Sequence, residues 1–144
     1  MVDIAAYFRH YGWTCDEVDP GVWHSAFAVE AGLDPGDVYD LYVLAADDWV
    51  QFAVSPLHSP SFGAVPERLL SFLVHTNQDL RLARLALDAD GDVNLLVDVP
   101  APHINAELFG QVLELLAYYA SELGPQLRRL DGEPGSAFAS FLGD

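Results

Sequence analysis

Asp88, Asp90 and Asp92 stand at alternate positions, a pattern that invites a calcium site because hard cations gather carboxylate oxygens. The spacing fails that test. Gly91 falls between the second and third acids instead of after the third, and the position eleven beyond Asp88 is Val99, where a bidentate glutamate is required. Asp90-Gly91 is instead a dipeptide that favours a two-residue hairpin turn, with the acids as its solvated flanks. The five histidines, His10, His24, His58, His75 and His103, are dispersed, with no His-x-x-x-His pair and no cysteine beside them, so no zinc spacing arises. Asp47-Asp48 resembles a carboxylate pair, but sequence neighbours in a turn point apart, whereas paired-acid catalysis needs two groups facing across a cleft. Cys15, the single cysteine, precedes Asp16-Glu17, and adjoining acids disfavour a reactive thiolate. There is no Gly-x-Ser-x-Gly elbow, no Gly-x-Gly-x-x-Gly loop and no Gly-Lys-Ser/Thr phosphate cradle. No catalytic residue, metal or cofactor is expected.

The charge balance narrows the partners. Six basic residues, all arginines, oppose 22 acidic ones, for a net charge of −16 over 144 residues. The absence of lysine removes Schiff-base chemistry. So anionic a chain repels phosphate backbones and anionic lipid surfaces, so neither direct nucleic-acid binding nor membrane binding is expected, and basic protein clients are favoured. With 51% apolar and 12% aromatic residues the chain is far from an acidic disordered tail and can bury a core. A lone cysteine and an N-terminus without a basic and then apolar run make the cytoplasm the expected compartment. The charge-free run between Asp48 and Glu67 holds Pro56, Pro60 and Pro66 and reads as a strand followed by a loop.

The elements that would carry these residues are legible from periodicity. Asp3 caps a short helix with Ile4, Tyr7, Phe8 and Tyr11 on one face and Gly12 as its stop. Val22 to Val29, Val38 to Ala45 and Trp49 to Val54 are β-branched and aromatic runs separated by Pro, Gly and Asp clusters, with a further strand possible in Trp13 to Val18. Ser55 to Pro66 reads as a loop, and Pro66 opens a helix with Leu69, Leu70, Phe72, Leu73 and Thr76 facing inward and Asn77 as its stop. Ala83 to Asp88 and Val93 to Val99 form a hairpin around Asp90-Gly91. Asn105 caps a long helix whose stripe is Leu108, Val112, Leu115, Tyr119 and Leu123, widened by Phe109, Leu113, Leu116 and Ala120. Gly124-Pro125 is expected to end it. The fold class is therefore α+β, an antiparallel sheet with helices packed on one face in the order α-β-β-β-α-β-β-α, over a domain of residues 1–123. A tail of residues 124–144 follows and carries a short amphipathic segment.

Such a sheet leaves one face to water, a partner or a ligand. Trp23 and Phe27 share a parity, whereas Tyr39 and Tyr42 do not, so alternation cannot bury all four rings. Trp23, Phe27 and Tyr42 are the expected sheet-side protein contacts. Phe138, Phe141 and Leu142 are the expected tail contacts, folding back on their own domain or docking on another subunit.

The run from Leu70 to Val93, LSFLVHTNQDLRLARLALDADGDV, resembles the helix-Asn-hairpin core of YbjN-like bacterial proteins. Val97-Asp98-Val99-Pro100 and the paired Tyr118-Tyr119 on the following helix continue the likeness, which spans about Val22 to Leu123. The resemblance implies a fold similar to type III secretion chaperones: a small, acidic, often dimeric domain that binds proteins and carries no catalytic residues. It also implies stress or sensory regulation. The expected function is a non-enzymatic homodimeric module, chaperone-like or a regulatory adaptor. The alternative is a small-molecule sensor or an unrecognised hydrolase using a cleft near His58 and the Ser55 to Pro66 loop.

Overall fold

The first helix, α1 (Ile4–Tyr11), begins where Asp3 accepts the Ala6 N–H at 3.1 Å and stops at Gly12, whose φ of 95° is open to glycine. Six strands follow in chain order as β1 (Asp16–Asp19), β2 (Val22–Ala31), β3 (Asp34–Ala45), β4 (Trp49–His58), β5 (Ala83–Leu87) and β6 (Val93–Pro100). Helix α2 (Glu67–Asn77) lies between β4 and β5, and α3 (Ala106–Asp131) follows a 3-10 turn at Ala101–His103. This computed structural model describes residues 2–31, 34–60 and 65–131. The strands make one antiparallel sheet in the order β1-β2-β3-β4-β6-β5, so β1 and β5 are its two edges. The α+β expectation holds, with β1 as the further strand at the edge.

Register decides which residues meet the helices. Trp23 pairs with Val43, Val43 with Phe52, Phe52 with Val97 and Val97 with Ala83, and this row lies on the helix-covered face. Ser25, Leu41, Val54, Leu95 and Leu85 form the next row on the same face. Leu41, Val43, Phe52, Val54, Leu95 and Val97 are fully enclosed, as period-two alternation against a helical layer requires. Phe109 of α3 is the centre of this core: its ring lies 5.0 Å from Phe8 edge-on, 5.3 Å from Phe52 and 5.4 Å from Tyr7. One phenyl thereby joins α1, α3 and the sheet.

Ser55 to His58, expected to open a loop, instead extend β4, and two further features depart from the periodicity reading. Helix α3 does not end at Gly124-Pro125; it runs on to Asp131 with Pro125 inside it. A proline in a helix loses a hydrogen bond and crowds the preceding turn, at a cost of about 3 kcal/mol. Here the extra turns return more contacts than that, because Leu123, Leu127 and Asp131 are all buried. Gly124 is needed for a different reason from helix termination: a Cβ there would collide with the Tyr39 hydroxyl. The second departure is Leu70, expected inward but exposed on α2, where Leu69 and Leu73 alone are buried.

Candidate protein-binding surfaces

The sheet-side residues fall in three different places. Phe27 is 7% exposed on the helix-covered face, stacked on Trp13 at 5.4 Å and set 5.7 Å from Tyr39. It is a core residue with almost no surface to offer a partner. Trp23, four residues before it on the same face, is only half-buried. Tyr42 is half-buried on the opposite, open face, its ring 5.1 Å from that of His24. Phe138, Phe141 and Leu142 lie outside the described residues.

The open face is a wet, mixed surface. His24 meets Asp40 at 2.8 Å, and Asp98 accepts from Gln51 at 3.0 Å and from Arg84 at 2.7 Å. These pairs are exposed or half-buried, so their contribution to stability is small. Between them Leu44 and Val38 reach solvent, the latter 68% exposed.

The flank built from α2 and β5 differs. Leu70 and Val74 are one helical turn apart on α2, and Leu82 and Leu87 bracket β5; all four are exposed, Val74 to 72% and Leu82 to 58%. The chain enters β5 through Leu82 at φ 64°, a left-handed conformation that costs a non-glycine residue about 1–2 kcal/mol. The Tyr119 hydroxyl accepts the Arg81 N–H at 2.9 Å and helps hold this connection. Asn77, expected only as a helix stop, does more. Its Nδ2 donates to the Leu85 carbonyl at 3.0 Å and its Oδ1 accepts the Leu85 N–H at 2.6 Å. The amide thus occupies the outward backbone groups of the edge strand, which an incoming strand would otherwise use.

The other edge carries charge. Asp16, Glu17, Val18 and Asp19 of β1 are all exposed. Beside them a cavity of about 890 Å³ opens between the start of α1, the β1–β2 turn, the β3–β4 turn and the 3-10 turn. Trp23 forms part of its wall with Val2, Ile4 and Ala101, and Asp3, Glu17 and Asp47 bring carboxylates to it. The β3–β4 turn that supplies Asp47 is closed by Ala46 N–H donating to Trp49 O at 2.9 Å.

Elsewhere, His58 and Asp88 are each held by close partners. His58 Nε2 lies 2.9 Å from Asp131 Oδ2, with side chains 8% and 1% exposed, so the end of β4 is tied to the end of α3. His58 therefore faces a buried carboxylate. Asp88 accepts from the Asp92 and Asp90 N–H groups and from Asn94. Partial desolvation pushes its carboxyl up, but these hydrogen bonds and that of Gly91 outweigh it and hold the group below its ordinary value. Cys15 is shifted up, first by desolvation and then by Asp16, against a smaller opposing effect of Arg9, which keeps it a thiol.

Sequence reasoning missed the α2–β5 flank, although a signal existed. Leu69, Leu70, Leu73 and Val74 together are too wide a stripe for one buried face. Tertiary packing then decides which pair is covered.

Among solved structures the chain is similar to one from the heterodimeric ExoU–SpcU complex of the type III secretion system of Pseudomonas aeruginosa. The TM-score is 0.57 at 15% identity, over 85% of this chain and 96% of that one. It is likewise similar to a chain of the ExsC–ExsE complex, at a TM-score of 0.57 and 14% identity, over 85% and 89% of the two chains. The fold is that of type III secretion chaperones. At such identities the likeness is one of fold. No protein-family model matches the chain, and no curated protein matches it, so the YbjN-like resemblance stays with the motifs that carry it. No described helix is long and apolar enough to cross a membrane.

Proposed function

We propose that this chain is a non-enzymatic protein-binding module, chaperone-like or a regulatory adaptor, that works as a homodimer in the cytoplasm. The observation that carries the reading is the α2–β5 flank: Leu70 and Val74 on α2 and Leu82 and Leu87 at the ends of β5 are exposed in a chain of charge −16. Apolar side chains left exposed on so acidic a surface mark a place where protein meets protein. The left-handed Leu82 supports it, since a strained backbone that turns a leucine outward has a use for that leucine. Association at this flank proceeds through side chains, because Asn77 already holds the outward groups of Leu85. The secretion-chaperone fold of chains found in complexes with ExoU and ExsE agrees with protein clients. The YbjN-like motifs favour a role in bacterial stress or sensory regulation. Tyr42 and the tail residues Phe138, Phe141 and Leu142 are the further contacts we assign to clients or to the partner subunit.

Light scattering after size exclusion tests the dimer. The full chain is expected to elute as a dimer at micromolar concentration, and Leu70→Asp with Val74→Asp is expected to weaken the dimer at least about a hundredfold, since it buries two carboxylates without partners. Removing residues 132–144 is expected to leave the domain folded and to weaken association by less. A wild-type monomer at that concentration would sink the homodimer.

A further inference from the structure

The cavity beside β1 has a definite chemistry. Its walls are mostly apolar, from Val2, Ile4, Ala45, Ala46, Ala101 and Pro102, and the Trp23 indole is half-buried among them. Asp3, Glu17 and Asp47 are the charged groups that line it. None of the ion pairs among the described residues neutralises them, and two are held by backbone donors: Asp3 by Ala6 N–H and Glu17 by Gly21 N–H at 3.2 Å. An open cleft with an indole and small apolar side chains in its wall and exposed carboxylates at its rim matches one kind of side chain, an aliphatic stem that ends in a cation. An anion is repelled there, and a purely aliphatic group would leave the carboxylates unused.

The place of the cavity says what bears that cation. Strand β1 is the free edge of the sheet, and Glu17 stands opposite Trp23 across the β1–β2 pair. An extended segment laid along β1 would point alternate side chains toward the helix-covered side, where the cavity opens. We infer that this cavity is a client subsite, taking an arginine or lysine side chain from a protein segment that runs along β1. The inference rests on the protein-binding reading and adds the chemistry of the client to it.

The probe is an acetylated nine-residue peptide of alternating valine and threonine around one central arginine, titrated into the full chain labelled with nitrogen-15. The indole resonance of Trp23, assigned with Trp23→Phe, is expected to shift on titration. Replacing the arginine by citrulline, its neutral near-isostere, is expected to weaken binding about tenfold, and a glutamate should abolish it. Glu17→Gln with Asp47→Asn, which keeps the shape of the cavity, should weaken the arginine peptide about tenfold and bring it level with citrulline. Equal binding of arginine and citrulline, an unmoved Trp23 resonance, or full affinity in the double variant would each overturn the subsite. If the peptide fails while light scattering still finds the dimer, only the subsite falls. If the chain is a monomer yet binds the peptide with arginine selectivity, the homodimer falls and the subsite stands.

Discussion

At one edge of the sheet, β1 carries Asp16, Glu17 and Asp19, all exposed, with no strand on its outer side among the described residues. At the other, β5 has Leu85 already paired to the Asn77 amide, and its neighbours Leu70, Val74, Leu82 and Leu87 face outward. An open edge invites strand pairing, but two copies of β1 would set like charges opposite each other, which disfavours self-pairing and leaves the edge to a basic segment. The β5 edge has the reverse logic: its ladder is blocked at Leu85 while leucine and valine side chains on and beside it reach solvent. On the proposed function, this contrast would let one sheet keep self-association and client capture apart, with backbone used at one end and side chains at the other.

The comparison can be broken most forcefully at Asn77. Asn77→Ala removes both partners of the Leu85 peptide and is expected to cost about 1–3 kcal/mol, several degrees of melting temperature by calorimetry, with Asn77→Asp intermediate because it keeps only the acceptor. The same variant opens the β5 ladder, so higher aggregates should appear beyond the dimer. A smaller effect sharpens the opposite edge. In the Leu70→Asp, Val74→Asp background, Asp16→Asn with Glu17→Gln and Asp19→Asn should raise self-association by about tenfold in sedimentation equilibrium, as like-charge repulsion at β1 is removed. The smallest effect concerns the hairpin that carries β5. The Asp88 carboxyl is held below its ordinary value, so its contribution to stability is present above the normal carboxylate range and is lost as pH falls through its own lowered pKa. Asp88→Asn should therefore melt slightly below the wild type near neutral pH and match it in strong acid.

Local chemistry made much of this fold readable. The cap at Asp3, the stop at Gly12 and the alternation through Val50, Phe52 and Val54 each rest on interactions within a few residues and are found as expected. The hairpin around Asp90-Gly91 is also found, though its connection runs from Asp88 to Asp92, longer than a two-residue turn, with the Asp88 N–H donating to the Asp92 carbonyl at 3.0 Å. What escaped were choices made by distant partners. The end of α3 depends on Tyr39 meeting Gly124 and on His58 meeting Asp131, and neither is near in sequence. The α2 stripe is too wide to assign without knowing where β5 and α3 lie. Of the candidate contacts, strand parity put Tyr39 and Tyr42 on opposite faces without saying which was open, and it could not tell the enclosed Phe27 from the half-open Trp23, because the two share a face and differ only in what covers them. The cavity around Trp23 is assembled from four separate turns and termini, a juxtaposition no local pattern announces.

The last turns of α3 are moored at two points, Arg68 Nε donating to the Leu130 carbonyl at 2.6 Å and His58 meeting Asp131. Residue 131 thus stands as a fixed post beside the first turn of α2. Phe138 is seven residues from that post and can stand no more than about 25 Å away from it.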